Sequence, residues 1–117
     1  MRGWRDMSTC PKAFNGKTRT VLVWHVYQMC MVYDCVKARQ NRFIVRWQEI
    51  PDEWVSLDER LPNSHDANLL GVVIVKDSHG DIRLRGWHLV NRESDITHWM
   101  QTPDAPDNYY QLRESVD

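Results

Sequence analysis

Cysteine, glycine and proline are all scarce in this chain, net charge is close to zero, and no long apolar run occurs; each absence closes off a class of protein. Three thiols, Cys10, Cys30 and Cys35, cannot pair completely. So few in 117 residues do not make a secreted disulfide scaffold, and a chain this long buries roughly two-thirds of its unfolded surface without staples. No segment approaches the ~20 apolar residues of a membrane span, and Met1 to Asp6 has no apolar core of an export signal. The expectation is a chain in a reducing cytoplasm, with no membrane partner. Fifteen basic against sixteen acidic residues leave a formal charge of −1. A DNA mimic needs a large acidic surplus and a non-specific nucleic-acid binder a basic one, so neither is favoured. Gly-x-Ser-x-Gly, a phosphate loop, His-Glu-x-x-His and a glycine-rich dinucleotide turn are missing as well. His65, His79, His88 and His98 have no companion motif that would make one a general base. The sequence reads as no enzyme, with no catalytic residues.

Tryptophan, by contrast, is abundant: Trp4, Trp24, Trp47, Trp54, Trp87 and Trp99. A side chain of this size is costly to leave in water, and its N–H needs a partner when buried. Their spacing shows an internal repeat. Trp4 precedes Pro11 by seven positions, and Trp54, 50 positions after Trp4, precedes Pro62 by eight. Each opening runs through a polar, turn-prone stretch, Lys12 to Lys17 and Asn63 to Asn68, into an apolar run, Thr20 to Trp24 and Gly71 to Val75. Each half closes on Trp-x-x-x-Pro-Asp, at Trp47 to Asp52 and, 52 positions on, at Trp99 to Asp104. This divides the chain into a first β repeat over 1–52, a second over 53–108 and a tail over 109–117.

Short runs rich in Val, Ile, Tyr and Trp between Gly, Pro, Asn and Asp predict strands near 19–26, 28–36, 42–47, 71–76, 82–88 and 96–100. Lys76 to Asp81 is a hairpin connection in which Gly80 supplies positive φ. Helix is confined to a single turn over Ser56 to Leu61 and a short terminal helix over Tyr110 to Val116. The fold class is mostly β, a β-rich α+β chain of two tandem ~50-residue antiparallel units packed as one domain.

From Val21 to Tyr33 apolar residues fill both alternating sets of positions, so both faces must be covered, by the core or by a partner chain. Trp24, Tyr27, Met29, Met31 and Tyr33 are the candidate partner-binding residues, because aromatics and methionine are enriched where interfaces carry their energy. Arg39, Arg42 and Arg46 form a basic cluster, with Lys37, that is a candidate nucleic-acid contact. Cys10, His25, Cys30 and Cys35 are zinc-ligand types, but structural sites take paired ligands on a turn, whereas Cys30 and Cys35, separated by four residues inside a predicted strand, should point to opposite faces. No metal site and no cofactor is expected.

The second half, Trp54 to Pro62, Val72 to Val75, Gly86-Trp87 and Thr97 to Met100, resembles a small domain family of unknown function from bacteriophages and prophages. That family opens Trp-Ile-Ser-Val-x-Asp-Arg-Leu-Pro and closes Thr-His-Trp-Met-Pro-Leu-Pro. The first half, from Trp4 to Gly16, resembles a divergent variant of the same opening. Gln101 stands where the family has proline, and Arg46 where it has the histidine of the closing motif. The resemblance implies a phage accessory protein in the cytoplasm of a bacterial host, without an activity or cofactor to carry over. The resulting expectation is binding and modulation or inhibition of a host protein or complex, such as a defence nuclease or polymerase, by a monomer or small homo-oligomer. Nucleic-acid binding and sequestration of a small ligand are the alternative readings.

Overall fold

The computed structural model describes residues 3–11 and 19–116; the turn-prone stretch Lys12 to Lys17 lies outside the described residues. The chain divides into two units, one comprising Met1–Ile50 with Ala105–Asp117 and the other Pro51–Asp104. Each is built on a four-stranded antiparallel sheet, where the short β-branched runs predict three strands apiece.

The first unit contains β1 (Arg5–Asp6), β2 (Thr20–His25), β3 (Met29–Asp34), helix α1 (Cys35–Gln40) and β4 (Ile44–Gln48), with sheet order β1-β4-β2-β3. Helix α2 (Tyr109–Val116) belongs with it. The second unit contains β5 (Val55–Ser56), β6 (Val72–Asp77), β7 (Ile82–Gly86) and β8 (Ile96–Met100), in the matching order β5-β8-β6-β7. Three-residue 3-10 turns lie at Met7–Thr9 and Ser64–Asp66, and a longer one occupies Trp87–Arg92.

The two units agree beyond strand order. Cys35 N–H donates to the Arg19 carbonyl at 2.8 Å, and 52 positions later Trp87 N–H donates to that of Gly71 at 3.0 Å. Val26 N–H donates to the Phe43 carbonyl at 2.9 Å, as Ser78 does to Asp95 at 2.8 Å. Both central strands carry an irregularity at the same place, Trp24/His25 and Lys76/Asp77. The cores correspond as well: Val21, Val23, Ala38, Ile44 and Trp47 in one, Val73, Val75, Val90, Ile96 and Trp99 in the other. Every valine among these is fully withdrawn from water, a burial that contributes about 1.5–3 kcal/mol per side chain. The closing tryptophans donate their indole N–H back to the opening loop, Trp47 to Thr9 Oγ1 at 2.9 Å and Trp99 to the Arg60 carbonyl at 2.8 Å.

Two predicted strands stop early. The run over 28–36 ends at Asp34, whose carboxylate accepts from Val36 N–H and Lys37 N–H at 2.9 and 3.1 Å and so caps α1. The run over 82–88 ends at Gly86, where the 3-10 turn begins. At the β6–β7 hairpin Gly80 has φ +84°, the conformation that glycine adopts without a side-chain clash.

The β2–β3 hairpin is held differently. His25 Nδ1 accepts the backbone N–H groups of Tyr27 and Gln28, both at 3.1 Å, which fixes a neutral ring protonated at Nε2. Asp77 does the same work at the matching place, its Oδ1 accepting from His79 and Asp81 at 2.9 and 3.0 Å. Burial lowers the His25 pKa below its ordinary 6.5, so the unfolded chain takes up the proton first. The stability His25 contributes is therefore complete above pH 6.5 and is lost as pH falls from there through its folded value. Urea midpoints of wild type should decline over that window. His25→Asn, which supplies a carbonyl acceptor and no titrating ring, should not show that decline; an identical profile in the two proteins would count against this account.

Candidate functional site

The five residues expected to bind a partner do not form one surface. Val21 pairs with Tyr33 and Val23 with Met31 across β2 and β3, and Met31 and Tyr33 pack half-buried on the first unit's own core. Trp24 is on the opposite face of β2 and only 2% exposed. Its ring meets Trp4 at 5.8 Å and Tyr109 of α2 at 6.0 Å, both edge to face, and its indole N–H has no hydrogen-bond acceptor among the described residues. The sequence pattern was two-sided because both faces of β2 are buried: Val21 and Val23 on one, Leu22 and Trp24 on the other.

The hairpin end beyond β2 does stay in solvent. Tyr27 is 45% exposed and belongs to a ring cluster with His25 and Phe43, at centroid separations of 6.2 Å and 5.6 Å. The Arg113 guanidinium of α2 lies over the Tyr27 ring at 5.1 Å, and that of Arg42 over Phe43 at 4.6 Å. Stacking leaves the donor edges of a guanidinium free for a carboxylate, and neither arginine is in an ion pair among the described residues. Met29 completes the turn with φ +66°, a conformation uncommon for any residue but glycine and worth about 1 kcal/mol of strain. The His25 cap and the pairing of β2 with β3 hold it there.

The basic cluster is divided in the same way. Arg39 donates to the Cys10 carbonyl at 2.7 Å, and Arg46 to that of Val45 at 2.7 Å. Arg42 is the member of the three with its guanidinium turned to the aromatic cluster instead. Sequence reasoning did not find Arg113 or Phe43. Arg113 is brought to Tyr27 by the return of α2 to the first unit, which no local pattern announces.

The three thiols are buried. Burial raises the Cys30 pKa to about 12, and burial with the neighbouring Cys35 raises that of Cys10. Cys30 is opposite Trp24 in the β2–β3 register, while Cys35 starts α1 and accepts Arg19 N–H at 3.2 Å. Among the described residues no three His, Cys, Asp or Glu side chains are gathered as a metal would require. Nor is any helix among them long and apolar enough to cross a membrane. No protein-family model, curated protein or solved structure matches the chain.

Proposed function

We propose that this chain is a bacteriophage or prophage accessory protein that binds a bacterial host protein in the host cytoplasm and modulates or inhibits it. Contact is made through the hairpin end of the first unit, by Tyr27 with Arg42 and Arg113. The observation that carries this reading is the half-exposed Tyr27 ring held on its hairpin with one guanidinium over it and another over its neighbour Phe43. Tyrosine and arginine are among the residues that dominate binding energy at interfaces, and a ring already fixed by packing loses little freedom on binding. The likeness of Trp54 to Pro62 and Thr97 to Met100 to the phage domain supports the setting.

The test is capture from a bacterial lysate, with and without nuclease, comparing wild type with the Tyr27→Ala/Arg42→Ala double variant. A partner that survives nuclease and binds the variant roughly a hundredfold more weakly is the expected result, the loss typical of two interface anchors. Retention that disappears with nuclease would replace this reading with nucleic-acid binding. Equal capture by the variant would remove the hairpin end from the interface.

A further inference from the structure

The correspondence between the two units exposes a difference in one place. In the first unit, Arg39 on α1 bridges to the opening loop, its Nη1 donating to the Cys10 carbonyl at 2.7 Å. The matching positions in the second unit follow from two alignments already described. Trp87 matches Cys35 through the carbonyls of Gly71 and Arg19, which puts Asn91 at the place of Arg39. Arg60 matches Thr9 as the acceptor of the closing indole, which puts Leu61 and Pro62 at the places of Cys10 and Pro11. Asparagine is several atoms too short to make the arginine's bridge, and here a groove of ≈ 180 Å3 is found, lined by Leu61, Pro62, Trp87, His88 and Asn91.

From this we infer that the groove of the second unit binds an arginine side chain supplied by a partner, in the role that Arg39 fills internally in the first unit. The lining suits a planar cation. Trp87 offers an indole, the best aromatic surface for a guanidinium, where the first unit has only a thiol. Leu61 and Pro62 suit the arginine's methylene stem, and the Leu61 carbonyl stands at the place of the acceptor that Arg39 uses; it takes one long bond, 3.5 Å, from Arg60 Nη1 and keeps a second lone pair for a stronger donor. Two carboxylates close by in the chain, Asp58 and Glu59, three and two positions before Leu61, are exposed and in no ion pair among the described residues. Asp66, the nearer carboxylate in sequence on the other side, is already taken by Arg60 at 2.9 Å. The groove belongs wholly to the second unit, and its occupation stands or falls independently of whether the hairpin end of the first unit binds protein.

The experiment is a titration of the 15N-labelled protein with N-acetyl-arginine amide, following the Trp87 indole N–H resonance, assigned with Trp87→Phe. N-acetyl-citrulline amide, which has the same shape without the charge, is the control. Expected is a saturable shift of the Trp87 resonance with arginine and a response at least about tenfold weaker with citrulline, since charge is what an indole face selects. Asn91→Arg should refill the groove from within, keep the dispersed spectrum, and abolish the shift. No saturable shift, an equal response to citrulline, a shift confined to other indoles, or undiminished binding by folded Asn91→Arg would each overturn the inference. The citrulline comparison uses the wild-type chain and so decides even if Asn91→Arg fails to fold.

Discussion

Trp99→Ala is expected to destabilise the protein by about 3–5 kcal/mol, the cost of emptying a buried aromatic site. Stabilities of small domains total only about 5–15 kcal/mol, so the loss removes a large fraction of what holds the fold. The ring is 1% exposed, sits in the core with Val73, Val75, Val90 and Ile96, and ties β8 to the opening loop through its bond to the Arg60 carbonyl. Arg60 in turn covers the ring at 4.7 Å while paired with Asp66. Removing the indole therefore opens a cavity and releases the loop together. Trp47→Ala should cost a similar amount in the first unit, where the ring is 2% exposed and bonded to Thr9. Urea denaturation followed by far-ultraviolet circular dichroism measures both, and hydrogen exchange locates them. Loss of protection should centre on β5, β6 and β8 for Trp99→Ala and on β1, β2 and β4 for Trp47→Ala. A loss under about 1 kcal/mol in either variant would show that the closing tryptophan is not what holds its unit together.

Asp77→Ala should come next in effect. Its side chain is nearly buried and receives three donors: His79 N–H, Asp81 N–H and the Arg83 guanidinium, the last at 2.9 Å. Alanine leaves two turn N–H groups without their acceptor and frees one side of Arg83, which also holds Glu93 and Asp95. Burial alone would raise the Asp77 pKa, but the Asp81 and His79 donors and Arg83 outweigh it and bring it below the ordinary 3.8. Arg83 and Arg85 likewise lower that of Glu93 from 4.5. A carboxylate with a depressed pKa contributes stability that is complete above its unfolded value and disappears as pH falls through its folded one. Asp77→Ala should therefore be much less stable than wild type at pH 7, with the gap narrowing below about pH 4 as the wild-type carboxylate takes up its proton. Urea midpoints of the two proteins across pH 7 to 2.5 test this. A gap that stays constant into acid would mean that Asp77 acts through its shape rather than its charge.

What the sequence made legible was governed by repetition. Six tryptophans and the two Trp-x-x-x-Pro-Asp closures were enough to divide the chain in half, and the β-branched runs located β2, β3, β4, β6, β7 and β8 because each is long enough to show its composition. The two-residue strands β1 and β5 left no such trace; they exist because Arg5 and Val55 pair opposite Trp47 and Trp99, a long-range fact. Helix α1 was hidden by its length, six residues being too few for a helical period, although Asp34 before a short apolar stretch was a readable cap. The candidate surface was legible in part. Tyr27 was singled out from a run with apolar residues at both sets of positions, but composition could not show that Trp24 lies inside while Tyr27 reaches solvent. Arg113 and Phe43 join Tyr27 from segments 86 and 16 residues away, a juxtaposition that only the folded chain makes.

The assignment of Ala105–Asp117 to the first unit has a consequence for how the protein is made. In the sequence the second unit is one unbroken stretch, and the first is split into the segments before and after it. During synthesis from the N-terminus, β5 to β8 are all available before Tyr109 has been added to cover Trp24, and before Leu112 has been buried. Chains emerge from the ribosome as they lengthen, and units fold when their parts are present. The second unit is thus able to finish first, with the first completed only as Ala105–Asp117 is added, and a nascent chain arrested near residue 104 would carry a complete second unit and an uncovered Trp24.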